Sequence, residues 1–210
     1  MRCLLLIDIQ NDFLPGGALA VKDGGAVIPV ANRLMSQFPL VVATQDWHPA
    51  NHSSFAANHR DRMIGEVIDL DGLAQVLWPV HCVQNTPGAE LAATLDRSRI
   101  DLVVQKGTNP RIDSYSGFFD NGGRHATGLE AELRKRGVDE IYLLGLATDY
   151  CVRATALDAI KLGFPTWLIT DGCRGVEFMP GDIEKAITEM KQAGVQLTTS
   201  ESEVVQRLEN

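Results

Sequence analysis

The chain lacks the excess of basic residues that a nucleic-acid-binding surface needs. Among its 210 residues, 19 lysines and arginines stand against 27 aspartates and glutamates, which gives a formal net charge of −8. An acidic surface repels phosphate backbones, so the composition predicts no nucleic-acid partner. Aromatic residues are also scarce, at 6%, so an aromatic side chain beside a polar motif becomes a candidate for ligand binding.

Long hydrophobic runs and a disulfide framework are missing as well. No apolar stretch approaches the roughly 20 residues that a membrane-spanning helix requires. The first residues, MRCLLLID, are too short and too soon charged for a secretory signal. Four cysteines without a C-x-x-C pair do not resemble the pattern of a disulfide-stabilised secreted domain. These absences predict a cytoplasmic protein with free thiols and no membrane partner.

What the chain does contain is a regular alternation of short apolar runs and helical patterns. Its length and its 45% hydrophobic content suit one domain over residues 1–210. The patterns predict strands at 3–9, 40–44, 102–105, 140–144, 166–170 and 195–198, and helices at 26–38, 128–136, 150–162, 182–192 and 201–208. Nearly continuous apolar strands alternating with helices indicate an α/β fold with a mostly parallel sheet covered on both faces.

Polar residues follow several of the predicted strands. Asp8, Asp46, Lys106 and the turn 147–151 each stand where a strand ends. Ligands of parallel sheets bind beyond the carboxyl ends of the strands, so these residues are expected to converge. The long stretch 46–86 exceeds ordinary loop lengths and carries histidines and a tryptophan, which favours a functional role. A nucleotide-binding site is excluded by the turn QNDF after the first strand, where G-x-G-x-x-G would stand.

Cys151 is the candidate nucleophile. It lies in the first turn of a predicted helix, after Asp149 as a plausible N-cap. A helix N-terminus stabilises a thiolate and lowers the pKa of the cysteine, and its backbone N–H groups can receive an oxyanion. Cys3 and Cys173 are predicted to be buried hydrophobic residues instead.

Asp8 and Lys106 allow two interpretations. A carboxylate at the end of an apolar strand is costly unless it is paired, so the two residues can form a structural salt bridge. Alternatively, Asp8 acts as a general base for the thiol, and Lys106 stabilises the charged pair. Their positions in the sequence do not decide between these interpretations.

Asp46, His48 and His81 are candidate metal ligands. Asp46 and His48 are two residues apart on an extended segment, so both side chains point to one face. A carboxylate with imidazoles suits zinc, iron or manganese. The D-x-H pair is a weak signal, because most loop histidines are simply exposed. His52 has no clean ligand spacing, and His125 is predicted to be a surface residue.

Six segments taken together resemble the nicotinamidase family of the isochorismatase-like hydrolases. They are LIDIQNDF (6–13), DWHPANH (46–52), WPVHCV (78–83), KG with DSYS (106–107 and 113–116), GLATDYCV (145–152) and TDGCRG (170–175). The match runs over nearly the whole chain, in the same order. The resemblance implies a single-domain, doubly wound α/β fold with a six-stranded, mostly parallel sheet and helices on both faces.

The same resemblance assigns roles to individual residues. It implies a catalytic triad of Asp8, Lys106 and Cys151, and an oxyanion hole from the backbone N–H groups of Ala147 and Cys151. A cis peptide bond before Ala147 is typical of the family. It further implies one divalent metal ion, zinc first and iron or manganese as alternatives, on Asp46, His48 and His81. Phe13 and Trp78 would sandwich a flat substrate ring.

The activity implied by the resemblance is hydrolysis of nicotinamide to nicotinate and ammonia through a cysteine thioester, in NAD salvage, with pyrazinamide as a second substrate. Two alternatives stay open. One is a hydrolase of the same fold acting on another small amide, which a panel of amides would separate. The other is a non-catalytic metal-binding scaffold, in which Cys151 would be an inert thiol. The sequence leaves the oligomeric state open, including a homo-oligomer.

Overall fold

The computed structural model describes residues 1–206 and has an α/β architecture. Its strands are β1 (Arg2–Ile7), β2 (Val41–Asp46), β3 (Val67–Leu70), β4 (Leu73–Val76), β5 (Leu102–Lys106), β6 (Glu140–Leu146), β7 (Thr166–Arg174) and β8 (Gln196–Thr198). Its α-helices are α1 (Val27–Met35), α2 (Leu129–Lys135), α3 (Arg153–Lys161), α4 (Asp182–Gln192) and α5 (Glu203–Gln206).

Six strands form one parallel sheet in the order β5-β2-β1-β6-β7-β8. The central strand β1 pairs with β2 and β6, with Leu4 opposite both Val41 and Tyr142. Residues Cys3–Ile7 are completely buried, because both faces of β1 are covered. A strand buried on both sides reads as an unbroken apolar run rather than an alternating one. The predicted six-stranded parallel sheet is therefore confirmed.

The strand order places a topological switch point between β1 and β6. The connection from β1 to β2 runs across the sheet in one direction, and the connection from β6 to β7 runs in the other. Since such crossovers are right-handed, α1 and α3 cover opposite faces of the sheet. The crevice beyond the carboxyl ends of β1 and β6 is where ligands bind in doubly wound folds.

Several predicted element boundaries change in the structure. β2 continues to Asp46, β5 continues to Lys106, and β7 extends to Arg174. Asp46 and Lys106 are register partners of these two strands, so the pairing of β2 with β5 continues through both charged residues. The predicted helix at 150–162 is instead a π-helical turn, Thr148–Val152, followed by α3.

The stretch 46–86 is less irregular than its sequence indicates. It contains a two-stranded antiparallel hairpin, β3–β4. Asp71 and Gly72 form its turn, with φ angles of 52° and 84°, as a two-residue hairpin loop of the Asp-Gly type requires.

The predicted last helix, 201–208, is seen as α5, while its residues 207 and 208 lie outside the described part. No helix within residues 1–206 is both long and apolar enough to cross a bilayer.

Candidate active site

The ammonium group of Lys106 joins the polar residues at the carboxyl edge of the sheet. Its Nζ lies 2.9 Å from Asp8 Oδ2, 2.5 Å from Asp46 Oδ1 and 3.4 Å from Cys151 Sγ. It also donates to the backbone oxygen of Ser114 at 2.9 Å. All of these side chains are buried. The convergence predicted from the strand ends is thus present in the structure.

Strand geometry explains why these residues meet. Asp46 and Lys106 are register partners on β2 and β5, while Asp8 follows β1, with a φ of 48°. Thr44 on β2 donates its hydroxyl to Asp8 Oδ1 at 2.6 Å and accepts from the Asp8 backbone N–H at 3.2 Å. Cys151 lies in the π-helical turn after β6. Each reactive group is therefore carried at or beside the end of a core strand.

Burial dominates the electrostatics of the catalytic candidates. It raises the pKa of the Cys151 thiol well above its usual range, against the attraction of Lys106. It also raises the pKa of Asp8, an effect opposed by Lys106 and reinforced by the charge of Asp46. Although burial opposes its charge, Lys106 has a raised pKa because two carboxylates surround it. The structure thus contains a neutral thiol beside a carboxylate that binds a proton more tightly than usual.

Two sequence-based expectations about Cys151 are wrong. Asp149 is not an N-cap: Ala147 precedes the turn, and no side chain caps it. The carboxylate of Asp149 instead accepts hydrogen bonds from the backbone N–H groups of Val176 and Glu177, at 2.9 and 2.8 Å. The pKa of the thiol is raised rather than lowered, because the cost of burying a thiolate outweighs the field of one helical turn.

Cys3 and Cys173 behave as predicted. Cys3 and Cys173 are buried, and burial raises the pKa of each thiol to about 12. The peptide bond before Ala147 is cis, as the family resemblance implies.

Asp46, His48 and His81 lie close enough together to hold one metal ion, with ligand atoms within 4.8 Å of one another. The Nδ1–H group of His48 donates to the backbone oxygen of Gly107 at 2.9 Å, and that of His81 donates to Pro79 at 2.8 Å. In both imidazoles Nε2 is therefore the nitrogen left to bind a metal, and the backbone hydrogen bond orients the ring, as is usual for metal-binding histidines. The Nε2 of His48 lies 3.6 Å from Asp46 Oδ2.

The charges at this cluster suit a cation. Burial lowers the pKa of His81 to about 4, so its ring is neutral at pH 7. Burial opposes the charge of Asp46, but Lys106 and His48 hold the pKa of this carboxyl below its usual range. Burial opposes the charge of His48, but the Asp46 carboxylate raises the pKa of this imidazole. One carboxylate and two imidazoles, each neutral when it binds a metal, form a donor set that zinc, iron and manganese all accept. The residues present therefore fit a divalent metal ion.

His52 and His125 lie in different environments. His52 is completely buried, with its ring centroid 4.4 Å from that of His48. Its Nδ1 lies 2.7 Å from the hydroxyl of Ser54, and with His48 and Asp113 it forms a second group of potential ligands. His125 pairs with Asp120 at the surface, and its side chain is 70% exposed.

A pocket of about 390 Å³, counting its open mouth, reaches the metal-ligand candidates Asp46 and His81 and the candidate nucleophile Cys151. The sequence-predicted residues that line it are Phe13, Asp46, Trp78, His81, Ala147 and Cys151. Leu19, Asp113, Tyr115, Tyr150 and Val176 also line it and had no predicted role. Tyr115 accepts a hydrogen bond from the indole N–H of Trp78 at 3.1 Å. The motif that contains Tyr115 was recognised, but nothing in it indicated that the phenol supports the pocket wall.

Two supporting residues also escaped the sequence analysis. The Gln10 amide donates to the backbone oxygen of Asp46 and accepts from its N–H group, both at 2.8 Å. The Asp12 carboxylate accepts from the backbone N–H of Cys82 at 2.7 Å, next to His81. Both residues belong to the segment QNDF after β1, whose polar character was the available signal.

Comparison with known proteins identifies the class of this molecule. Residues 2–202 match the Isochorismatase domain family, and the chain belongs to that family. The nicotinamidase of Escherichia coli is 52% identical over 204 residues, which cover 94% of each chain.

Two solved structures extend the comparison. The nicotinamidase and pyrazinamidase of Acinetobacter baumanii is 47% identical, with a TM-score of 0.92 over 95% of this chain and 96% of that one. The pyrazinamidase of Pyrococcus horikoshii, solved in complex with zinc, is 40% identical, with a TM-score of 0.76 over 94% of this chain and 98% of that one. The expected family and fold are therefore confirmed.

Proposed function

We propose that this chain is a cytoplasmic nicotinamidase, a single domain over residues 1–210 that hydrolyses nicotinamide to nicotinate and ammonia in NAD salvage. Pyrazinamide is proposed as a second substrate. The observation that carries the proposal is the contact of Lys106 with both Asp8 and Cys151, beside a pocket that Cys151, Asp46 and His81 line. The similarity to nicotinamidases over almost the whole chain supports the choice of substrate.

In the proposed first half-reaction, Asp8 accepts the proton of the Cys151 thiol, and the sulfur attacks the carboxamide carbon. The backbone N–H groups of Ala147 and Cys151 receive the oxyanion, which such donors stabilise by about 3–4 kcal/mol each. As the C–N bond breaks, Asp8 passes its proton to the leaving nitrogen, and ammonia departs. Lys106 keeps its positive charge throughout and balances the negative charge that moves between sulfur and carboxylate.

In the second half-reaction, a water molecule attacks the thioester carbon. Asp8 accepts the water proton and returns it to the departing sulfur, which restores the thiol and releases nicotinate. The raised pKa of Asp8 suits this exchange, because a base whose pKa approaches the working pH both accepts and releases protons.

Asp46, His48 and His81 would hold one divalent ion, with zinc preferred over iron or manganese by analogy with the zinc-bound relative. When bound, the ion supplies a Lewis-acid site for the pyridine nitrogen and so helps to orient the ring. Phe13 and Trp78 flank the ring from the pocket wall and exclude water from its faces.

The decisive test replaces Cys151 with alanine. We expect ammonia release from nicotinamide to stop while binding, measured by calorimetry, stays nearly intact, since the ring contacts are made by other residues. Cys173→Ala is the matched control, because that buried thiol does not line the pocket. Continued turnover by Cys151→Ala would refute the role of Cys151 as the nucleophile. If the parent protein prefers another amide to nicotinamide in a panel of small amides, the assignment of nicotinamide as the substrate is refuted.

A further inference from the structure

One buried carboxylate of the substrate pocket takes no part in the proposed reaction. Asp113 lines the pocket together with His81 and Cys151, and it is only 3% exposed. One of its carboxylate oxygens lies within 4.8 Å of a ring nitrogen of His48 and of a ring nitrogen of His52. The charge of Asp113 therefore lies inside the site, beside the candidate metal ligands, and not on the protein surface.

The hydrogen bonds of Asp113 are those of an ionised carboxylate. Its Oδ1 accepts the backbone N–H of Ser114 at 2.7 Å, and its Oδ2 accepts the side-chain amide of Gln75 at 3.2 Å. Both oxygens act as acceptors, which is the only role that an ionised carboxyl group has. Since both donors are neutral, they fix the orientation of the carboxylate without balancing its charge.

Asp113 differs from the other carboxylates near the nucleophile because it has no cationic partner. Asp8 and Asp46 both contact the ammonium group of Lys106, at 2.9 and 2.5 Å. In the described part of the chain, no lysine or arginine forms a salt bridge with Asp113. Burying an unpaired charge costs free energy, and a neutral amide side chain would cost less at this position. Packing and hydrogen bonding alone therefore do not explain why the residue is an acid.

The charges in and around the pocket cancel only when Asp113 is included. Lys106 contributes one positive charge, and the ionised forms of Asp8 and Asp46 contribute two negative charges. A divalent ion on the proposed ligands adds two positive charges when it is bound, so the site without Asp113 would carry one net positive charge. Such a site attracts anions, and the acid product of amide hydrolysis is an anion. The carboxylate of Asp113 removes this attraction.

We propose that Asp113 is a specificity residue that favours uncharged amides over ligands with a carboxylate, and so promotes release of the acid product. The inference rests on the proposed function and assigns its discrimination between substrate and product to one buried charge. A like charge repels an anionic ligand, whereas a neutral amide of the same shape is hardly affected. Coulomb's law gives an effect on the order of tenfold for unit charges roughly 10 Å apart at an effective dielectric constant of about 20.

The repulsion can be tested without assuming an activity. Iodoacetamide and iodoacetate have nearly the same size and both alkylate Cys151 by displacing iodide, but only iodoacetate is an anion. The two rates are measured on zinc-loaded protein by peptide mass mapping. Because both rates refer to the same thiol, changes in its reactivity cancel in their ratio. In Asp113→Asn the ratio of the iodoacetate rate to the iodoacetamide rate is expected to rise about tenfold.

Three further variants control this measurement. Asp120→Asn removes the same formal charge from the same connection between β5 and α2, but Asp120 does not line this pocket and pairs with His125 instead. Its ratio should stay within about twofold of the parent value, because solvent screens charges outside the pocket. Asp113→Glu keeps the charge and should keep the ratio close to that of the parent, which a purely steric role would not predict. Asp113→Ser is a second neutral variant for the case that Asp113→Asn does not fold.

Ligand binding supplies the second measurement. In the Cys151→Ala background, which prevents turnover, calorimetry compares nicotinate with nicotinamide. Asp113→Asn is expected to lower the Kd for nicotinate about tenfold and to change the Kd for nicotinamide by less than about twofold. An unchanged alkylation ratio in Asp113→Asn, an equal rise in Asp120→Asn, or an equal gain in affinity for both ligands would overturn the proposal. If the Cys151→Ala protein binds neither ligand, the proposed function fails, while the alkylation ratio still decides whether Asp113 repels anions.

Discussion

Lys106→Met offers a direct measure of how the charges in the site are balanced. Lys106 is the cation shared by Asp8 and Asp46, and its side chain is fully buried. Methionine has a similar length and fills most of the same space, so the loss of charge is the main change. Removing one partner of a buried ion pair typically costs about 3–5 kcal/mol. We expect the metal-free protein to lose that much free energy of unfolding at pH 7.5.

The loss should depend on pH in a defined direction. Without the ammonium group, the two buried carboxylates repel each other, and their pKa values in the folded state rise above that of an unfolded aspartate, about 3.9. A carboxyl whose folded pKa is raised keeps its stability at low pH and loses it as the pH rises through the folded value. The difference between parent and variant should therefore be largest near neutral pH and shrink toward about pH 4, the ordinary aspartate range.

Urea unfolding of chelator-treated protein, followed by circular dichroism across this pH range, measures both effects. The matched control is Lys135→Met, whose partner Glu132 lies 3.9 Å away at the surface, and its cost should stay below about 1 kcal/mol. The double variant Asp8→Asn with Lys106→Met should recover part of the loss, because it removes one of the repelling charges. A loss below about 1 kcal/mol for Lys106→Met, or one that does not vary with pH, would refute the reasoning.

Other perturbations test the supporting parts of the site. Thr44→Val removes the hydroxyl that donates to Asp8; we expect kcat/KM to fall about tenfold, or about 1.4 kcal/mol. The acid limb of the pH–rate profile should move to higher pH, since the ionised carboxylate loses a donor, and an unmoved limb would contradict this. Gly107→Ala would place a β-carbon 2.3 Å from the His48 ring, so bound zinc, measured by plasma emission spectrometry, should drop sharply. Gly123→Ala, at a similar φ of 63° but in open space, should retain its metal, and equal metal contents in the two variants would count against the proposed ligand. Chelation of the metal should raise KM for nicotinamide more than it lowers kcat, because orientation of the ring is its proposed task; an unchanged KM after verified metal removal would argue otherwise.

The sequence alone determined the layout of the fold and the position of the chemistry along it. The apolar run of β1 indicated a strand buried on both faces, and the structure confirms this. Because parallel strands end at one edge, Asp8, Asp46 and Lys106 were expected to converge. In the structure the ammonium group of Lys106 contacts both carboxylates. The roles of these residues as base, ligand and charge stabiliser stay predictions until the variants are measured.

Only the tertiary structure decided the properties that depend on surroundings from many segments. The pKa of Cys151 is raised because the whole fold buries the thiol, which the short helical signal around it did not reveal. Asp149 is of a residue type that favours an N-cap, but its carboxylate binds the backbone N–H groups of Val176 and Glu177, which stand 27 and 28 residues away. The hydrogen bond from Gln75 to Asp113 is equally non-local. Periodicity and strand ends are local signals, whereas burial and long-range partners arise only when the chain is packed.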